Sequence, residues 1–330
     1  MTTDSARQRK RFVLLGILAV LVVVAFFLSM LKGSVAFSPQ EVFNALSGQG
    51  QGYRSEILWN IRLPRTLVAL IVGVELSLSG AILQAIMKNP LADPHIIGIS
   101  SGAGLAGIFL MLAKPELSAW VTPVAFLGAM SAAAAIYLLA WKHGIRPVRI
   151  ILAGVAVSAF LGAGISALLI FYSDRVHGAL LWMVGGLSAK SWPEVYRLWP
   201  YALVGGLLSF LGARSLNLLQ LGDSMARGLG LSVERTRLWL TALAALLAAS
   251  AVSVVGLLGF VGLIVPHAAR LLIGSDYRFL LPAAALLGAA SLTLSDTFAR
   301  TAFAPIELPV GVLMAALGAP FFLFLLRKEL

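Results

Sequence analysis

Apolar residues in this chain do not alternate with polar ones; they gather into long runs separated by clusters of charge, proline and glycine. Ten such runs follow one another, near residues 12 to 31, 66 to 87, 95 to 113, 120 to 141, 148 to 171, 195 to 213, 238 to 258, 260 to 274, 279 to 299 and 308 to 326. A helix needs about 20 apolar residues to cross a bilayer core of about 30 Å, whereas a barrel strand shows only about ten residues of alternating character. Lipid-facing backbone must also satisfy its own hydrogen bonds. The pattern therefore predicts an all-α, polytopic membrane protein of ten transmembrane helices, one domain over residues 1–330. The eighth run is the shortest and contains Pro266, so it is expected to be tilted, broken or enclosed in protein.

Three stretches between the runs carry their own signals. Residues 32 to 64 are polar and glycine-containing. Residues 173 to 192 are too polar to span but keep Leu180, Leu181, Trp182, Met183 and Leu187, as an interfacial or re-entrant helix does. Residues 214 to 237 combine four arginines with Asp223, Glu234 and an apolar stripe of Leu216, Leu219, Met225 and Leu229, which predicts short amphipathic helices joined at glycines.

Composition sharpens this picture. Hydrophobic residues make up 59% of the 330 and charged residues 12%, against about 25% charged in a soluble domain. Mean hydropathy is +0.93. A soluble globular protein and a disordered one are both excluded. With no cysteine in the chain, disulfide scaffolds, zinc fingers and thiol chemistry go as well. The net charge of +11 reads, in a membrane protein, as orientation and contact with anionic lipid rather than nucleic acid. With the N-terminus inside, 16 of the 25 Lys+Arg fall on the cytoplasmic side, so both termini are expected there. The basic N-terminus ahead of residues 12 to 31 lacks a small-residue cleavage site, which favours a retained first span over a signal peptide.

Several motifs resolve into bland readings. Residues 102 to 107 satisfy the dinucleotide fingerprint and residues 98 to 102 the nucleophile-elbow pattern, but both sit in a glycine-rich apolar run without the required strand. Gly98 and Gly102, four apart, suit close helix packing instead. No phosphate-binding G-x-x-x-x-G-K-[ST] loop occurs, so ATP would have to be bound by a partner, and no cofactor is expected on this chain. Glu75 lies mid-span, where an ionisable group is costly: it is either a proton or cation site or a carboxylate hydrogen-bonded to a neighbouring helix. Asp296 and Arg300 are spaced to pair on one helix face. His95, His143, His177 and His267 show no metal-site spacing, so helix-end polar roles are expected; His177, in the outer amphipathic stretch, is the one placed as a possible substrate contact.

In order along the chain, Arg62-Leu63-Pro64-Arg65, Ser79-Gly80, Gln84, Asn89-Pro90-Leu91-Ala92-Asp93-Pro94 and Gly98-Ile99-Ser100-Ser101-Gly102-Ala103 resemble the opening signature of the FecCD-type permeases. Further similar segments are Leu216-Asn217, Leu221-Gly222-Asp223, Ala226, Leu229-Gly230, residues 259 to 267, Asp296 with Arg300, Glu307-Leu308-Pro309-Val310-Gly311 and residues 318 to 321. The resemblance runs from about residue 55 to the C-terminus. Members are the membrane subunits of type II ABC importers for ferric siderophores, haem and cobalamin. Two departures stand out: Glu75 replaces the usual small residue, and Pro147 with Val148 occupies a loop where some members carry Ser or Thr gating residues.

The resemblance implies ten helices in two inverted halves, a homodimer with one path on its axis, two ABC ATPase subunits below and a substrate-binding protein above, in a bacterial or archaeal cytoplasmic membrane. It implies that Arg62, Arg65 and Arg300 meet acidic residues of the binding protein. Asn89 and Leu91 fall at the cytoplasmic gate. Leu216, Asn217, Leu221, Gly222, Asp223, Ala226, Leu229 and Gly230 fall in the segment that couples to the ATPase. The expected cargo is an iron chelate, with cobalamin as the alternative. Two rivals come from other classes: an ion-coupled secondary transporter using Glu75, and an intramembrane hydrolase using Ser100.

Overall fold

The computed structural model describes residues 2–33, 35–141 and 147–329. The expected roles of Lys142, His143 and Arg146 lie outside the described residues. Among those described there is no strand. Seven helical segments are long and apolar enough to cross a membrane, and Ile99–Ala113, Val261–Ile273 and the segment from Val310 are shorter apolar helices. Together they fall on the ten predicted runs.

The first helix, α1 (Thr2–Leu31), leads into a cap at one end of the bundle. There α2 (Pro39–Leu46) starts at a capping box in which Ser38 Oγ accepts from the Glu41 amide while the Glu41 carboxylate accepts from the Ser38 amide. Helix α3 (Gly52–Ile57) continues through a turn of π-helix at Leu58–Arg62 into α4 (Leu63–Met87). The second half of the polar stretch 32 to 64 is therefore a helical extension of α4. Pro64 falls at the start of α4, where its missing N–H costs least.

Helix α4 is the axis of the bundle, buried along most of its length against α9 (Trp192–Gln220), α11 (Val233–Val255), α12 (Val261–Ile273) and α13 (Tyr277–Thr301). In lipid, contact must come from close packing and interhelical hydrogen bonds rather than from apolar burial. Both are present. Gly73 faces the backbone of Gly288, and Gly80 faces that of Gly262, with no room for a Cβ at either. Ser79 Oγ donates to the Ala244 carbonyl at 2.7 Å and Gln84 Nε2 to that of Leu263 at 3.1 Å. A second pair, α5 (Ile99–Ala113) and α6 (Val121–Ala140), meets where Gly102 faces Gly128. Gly102 thus packs as expected, while Gly98 has φ of +70° and turns the chain from the 3-10 segment Pro94–Ile97 into α5.

Helix α7 (Pro147–Phe171) is the barest: Leu152, Val155, Phe160 and Ile170 are all exposed. After it, α8 (His177–Val184) ends in a loop hydrogen-bonded to two breaks in other spans. Gly186 N donates to Val255 O at 2.9 Å, Leu257 N to Trp182 O at 3.2 Å, and Gly311 N, in α14 (Val310–Glu329), to Gly185 O at 3.1 Å. This satisfies backbone that helical bonding leaves open at the α11–α12 break. Helix α12 has 13 residues, so it rises about 20 Å and cannot cross the membrane alone if upright. The region 214 to 237 departs from its expectation. Helix α9 runs unbroken to Gln220, and only α10 (Asp223–Gly228) is a separate short helix, set between Gly222 (φ +102°) and Gly230 (φ +84°).

Candidate functional site

A cavity of about 700 Å³ lies where α8, the α11–α12 break and the start of α14 come together. Met183, Val184, Leu257, Phe260 and Val312 give it an apolar wall, and Asp93 and His95 supply its ionisable groups. His177 is exposed at the start of α8 and does not line this cavity. The structure thus brings His95, rather than His177, to this cavity. Asp93 Oδ1 accepts from the His95 amide at 2.9 Å, fixing the turn that carries both.

At the end of the bundle where α4 begins, Arg65 is held by three hydrogen bonds. Its Nε and Nη2 donate to the two Asp296 oxygens at 3.0 and 2.9 Å, and its Nη1 donates to Glu307 Oε2 at 2.7 Å. Asp296, expected to pair with Arg300 four residues on, lies 4.0 Å from it and takes its main partner from α4. Arg300 donates to Ser29 Oγ at 2.8 Å and to the Ser29 carbonyl; Arg62 donates to the carbonyls of Met30 and Val35 at 2.9 and 2.7 Å. Arg62 also stacks on Phe37, whose ring carries Arg54 as well, at 4.6 and 4.7 Å from the centroid. Arg62, Arg65 and Arg300 are 4%, 7% and 4% exposed. Arg62, Arg65 and Arg300, expected to meet acidic residues of a binding protein, are each engaged within the chain in contacts that tie α1, α4 and α13 together. Glu307, about a third exposed, is the part of the cluster that solvent reaches.

At the opposite end the chain turns sharply after α4. Lys88 adopts a left-handed conformation with φ of +49°, and Asn89 Oδ1 accepts from the Leu91 amide at 2.9 Å; Asn89 and Leu91 are half-buried. Lys88 Nζ donates to Asp223 Oδ1 at 3.1 Å, and the nearly buried Arg237 clamps the same carboxylate through two bonds of 2.8 and 2.9 Å. Burial raises the Asp223 carboxyl, but Lys88 and Arg237 outweigh it and hold it below the usual carboxylate range. The first residue of α10 is thereby tied to the ends of α4 and α11.

The other residues of the expected coupling segment divide in two. Leu216 and Ala226 are fully buried, and Asn217 caps α13, accepting from the Tyr277 amide at 2.9 Å and donating to Asp276 at 2.8 Å. Leu221, Met225 and Leu229 stand more than half exposed around α10. The stripe read from sequence is thus half core and half surface.

Glu75 is fully buried between α4 and α11, with Ser250 Oγ donating to its Oε1 at 3.1 Å. This is the neighbouring-helix hydrogen bond weighed above. Among the described residues no cluster of metal-ligating side chains occurs.

A multi-pass bundle with interrupted helices around a cavity, and a short locked helix displaying apolar side chains at one end, defines a membrane transport subunit. Residues 21–328 match the FecCD transport family, and the chain belongs to it. It is 38% identical to the Fe(3+)-citrate import system permease protein of Bacillus subtilis, over 100% of this chain and 99% of that one. It is 44% identical to the cobalamin import system permease protein of Halobacterium salinarum, over 83% and 74%. A metal-chelate type ABC transporter solved in an inward-facing conformation superposes with a TM-score of 0.86 at 30% identity, covering 95% of this chain and 98% of that one. The chain is accordingly a transport component of the ABC permease class in the cell membrane and not an enzyme, which removes the hydrolase reading of Ser100.

Proposed function

We propose that this chain is the permease through which an ATP-driven importer moves an iron chelate, a ferric siderophore or haem, across the cytoplasmic membrane of a bacterium or archaeon. Cobalamin is the alternative cargo. The observation that carries the importer reading is α10: Met225 on it and Leu221 and Leu229 flanking it stand exposed, and its base is locked by Asp223, as a knob that enters a partner's groove requires. The partner is an ABC ATPase, two per assembly, which binds the ATP that this chain has no loop for. The bare flank of α7 supports a homodimer that closes the cavity on its axis. Ten crossings in two inverted halves, with both termini cytoplasmic, put α10 on the ATPase side and Glu307 on the outer side.

Mechanistically, ATP-driven closure of the ATPases moves α10, and the Lys88–Asp223–Arg237 link passes that motion to the ends of α4 and α11 beside Asn89 and Leu91. A binding protein biases the outer end; the states are selected by the differing contacts that ATP and the binding protein make with each. Of the three expected docking arginines, Arg65 is the one an incoming carboxylate reaches, by exchange with Glu307. Such pairs are directional and release on demand.

Purification of this chain from its native membrane, with mass spectrometry of its partners and an absorption spectrum of the recovered binding protein, tests the reading. Recovery of an ATPase and a binding protein with a ferric or haem chromophore is expected. A corrin spectrum would replace the cargo, and a chain that carries no ATPase even after crosslinking at residues 223 to 230 would overturn the importer reading. Glu75→Gln separates the ion-coupled rival: uptake is expected to persist, and its abolition with an intact ATPase assembly would favour that rival.

A further inference from the structure

The cavity of about 700 Å³ between α8, the α11–α12 break and the start of α14 has a nitrogen donor on its wall. The His95 side chain is 39% exposed there, and among the described residues neither of its ring nitrogens makes a hydrogen bond. Asp93 Oδ1 stands 3.8 Å from Nε2, beyond hydrogen-bond reach. The residue is nonetheless fixed through its backbone: its amide donates to Asp93 Oδ1 at 2.9 Å, and its carbonyl accepts from the Gly98 amide at 3.0 Å. Gly259 leaves room for the ring, since a Cβ at that position would come within 3.2 Å of Nε2. A neutral imidazole held in this way offers a ring-nitrogen lone pair to a molecule in the cavity, and imidazole is the commonest metal ligand among side chains.

The rest of the wall selects among the cargoes proposed above. Met183, Val184, Leu257, Phe260 and Val312 are apolar, and among the described residues that line the cavity there is no lysine or arginine. Ferric citrate brings carboxylate charge that this wall, with Asp93 on it, does not compensate. A siderophore that already fills every position of its iron gains nothing from an imidazole. Cobalamin has one face of its ring covered by its own nucleotide loop and is far bulkier. Ferric haem uses both features: a flat, apolar macrocycle for the wall, and an iron with open axial positions for a histidine. The volume falls within the range of about 300–1,000 Å³ typical of small-molecule and cofactor sites. We infer that His95 is an axial ligand to the iron of a haem bound in this cavity. The inference rests on the proposed function for that haem's being cargo in transit. His95 follows directly on the turn that carries Asn89 and Leu91, so the motion passed on from α10 moves the ligand and releases the ring.

The test uses the full chain, free of any histidine tag, purified with the subunits it recovers and placed in nanodiscs. Ferric haem is added, then reduced with dithionite, and the complex is read by resonance Raman spectroscopy with empty nanodiscs as the blank. Wild type is expected to show the iron–histidine stretching band of ferrous haem, which the blank lacks. His95→Gln is expected to lose that band at an unchanged unfolding temperature, because the imidazole has no hydrogen bond to forfeit. His95→Tyr is expected to give, in the ferric state, the charge-transfer band of a tyrosinate-ligated iron, a gain that a disturbed fold does not produce. His177→Gln, outside the cavity, is expected to keep the wild-type band. No band in wild type, a band that survives His95→Gln or is lost with His177→Gln, or a His95→Tyr spectrum identical to that of His95→Gln would each overturn the site. A transporter that recovers its ATPase but gives only the blank's spectrum removes the haem ligand and leaves the importer reading standing. The band on a chain that recovers no ATPase keeps the ligand and removes the importer reading.

Discussion

Replacing Asp296 by asparagine tests whether the outer charge cluster is governed by pairing or by net charge. Arg62, Arg65 and Arg300 face Asp296 and Glu307, so three guanidiniums stand against two carboxylates, and all but Glu307 are nearly buried. Asp296→Asn keeps the shape and one acceptor for Arg65 but turns the other bond of the bidentate pair into N–H facing N–H, and raises the imbalance by one charge. Breaking a buried ion pair at one partner costs about 3–5 kcal/mol. Arg65 keeps Glu307 at 2.7 Å, which puts the expected loss near the lower end, about 3 kcal/mol. Arg65→Gln removes a positive charge instead, and leaves Asp296 with Arg300 at 4.0 Å ready to replace the lost partner, so it should cost less. The double variant should resemble Arg65→Gln alone, not the sum. Thermal unfolding of the detergent-solubilised chain, with all three variants side by side, reads the order. If Arg65→Gln proves the more damaging single change, or if the two costs add, the cluster is not charge-limited and the reasoning fails.

Three further expectations are open to direct measurement. Lys88→Gln frees the α4 end from α10 while leaving the Arg237 clamp intact; as a partly exposed pair of about 1 kcal/mol, it should lower cargo moved per ATP a few-fold with ATPase binding unchanged, and an unaltered ratio in proteoliposomes would dismiss the link. The Asp276 carboxyl is held down to about 2, chiefly by the Arg278 guanidinium; a carboxyl depressed on folding stabilises above its unfolded value and loses that contribution as pH falls. Unfolding temperature should therefore drop between about pH 4 and pH 2, and Asp276→Asn, which keeps the helix cap, should flatten that drop; identical profiles would count against it. Gly80→Val drives a side chain into the Gly262 backbone, which no rotamer relieves, so a loss of about 3 kcal/mol or more in the same unfolding assay is expected, and a neutral result would refute the contact.

The spans were legible because lipid imposes one rule on every residue that faces it, and runs of apolar side chains state that rule directly. What sequence periodicity missed lies where two runs meet in space. Asp296 and Arg300 share a helix face, so local spacing suggested their pair, yet α4 delivers Arg65 with better geometry from 231 residues away. Arg62, Arg65 and Arg300 carried a docking role by resemblance; the burial of Arg62 and Arg300 reflects contacts with Met30, Val35 and Ser29 that no motif encodes, and that of Arg65 its pairing with Asp296 and Glu307. Leu216 and Leu221 look alike in a hydropathy trace, but the first is buried on the inner face of α9 and the second is on the surface. His95 and His177 were separable only once the bundle showed which one borders the cavity.

The break between α11 and α12 is held in place by main-chain hydrogen bonds and carries Leu257, Gly259 and Phe260 of the cavity wall. Leu257 and Gly256 are tied to Trp182 and Val252 through main-chain atoms, and Gly259 and Phe260 turn the corner with Phe260 at φ of +68°. Peptide chemistry is the same whatever the sequence, so this portion of the wall is inherited unchanged by any relative that keeps the bend. Divergence toward a new cargo is then channelled into a handful of projecting side chains such as Met183, Val312 and Ala315. If the cavity holds the proposed cargo, a frame of this kind passes from one bulky chelate to another through few substitutions.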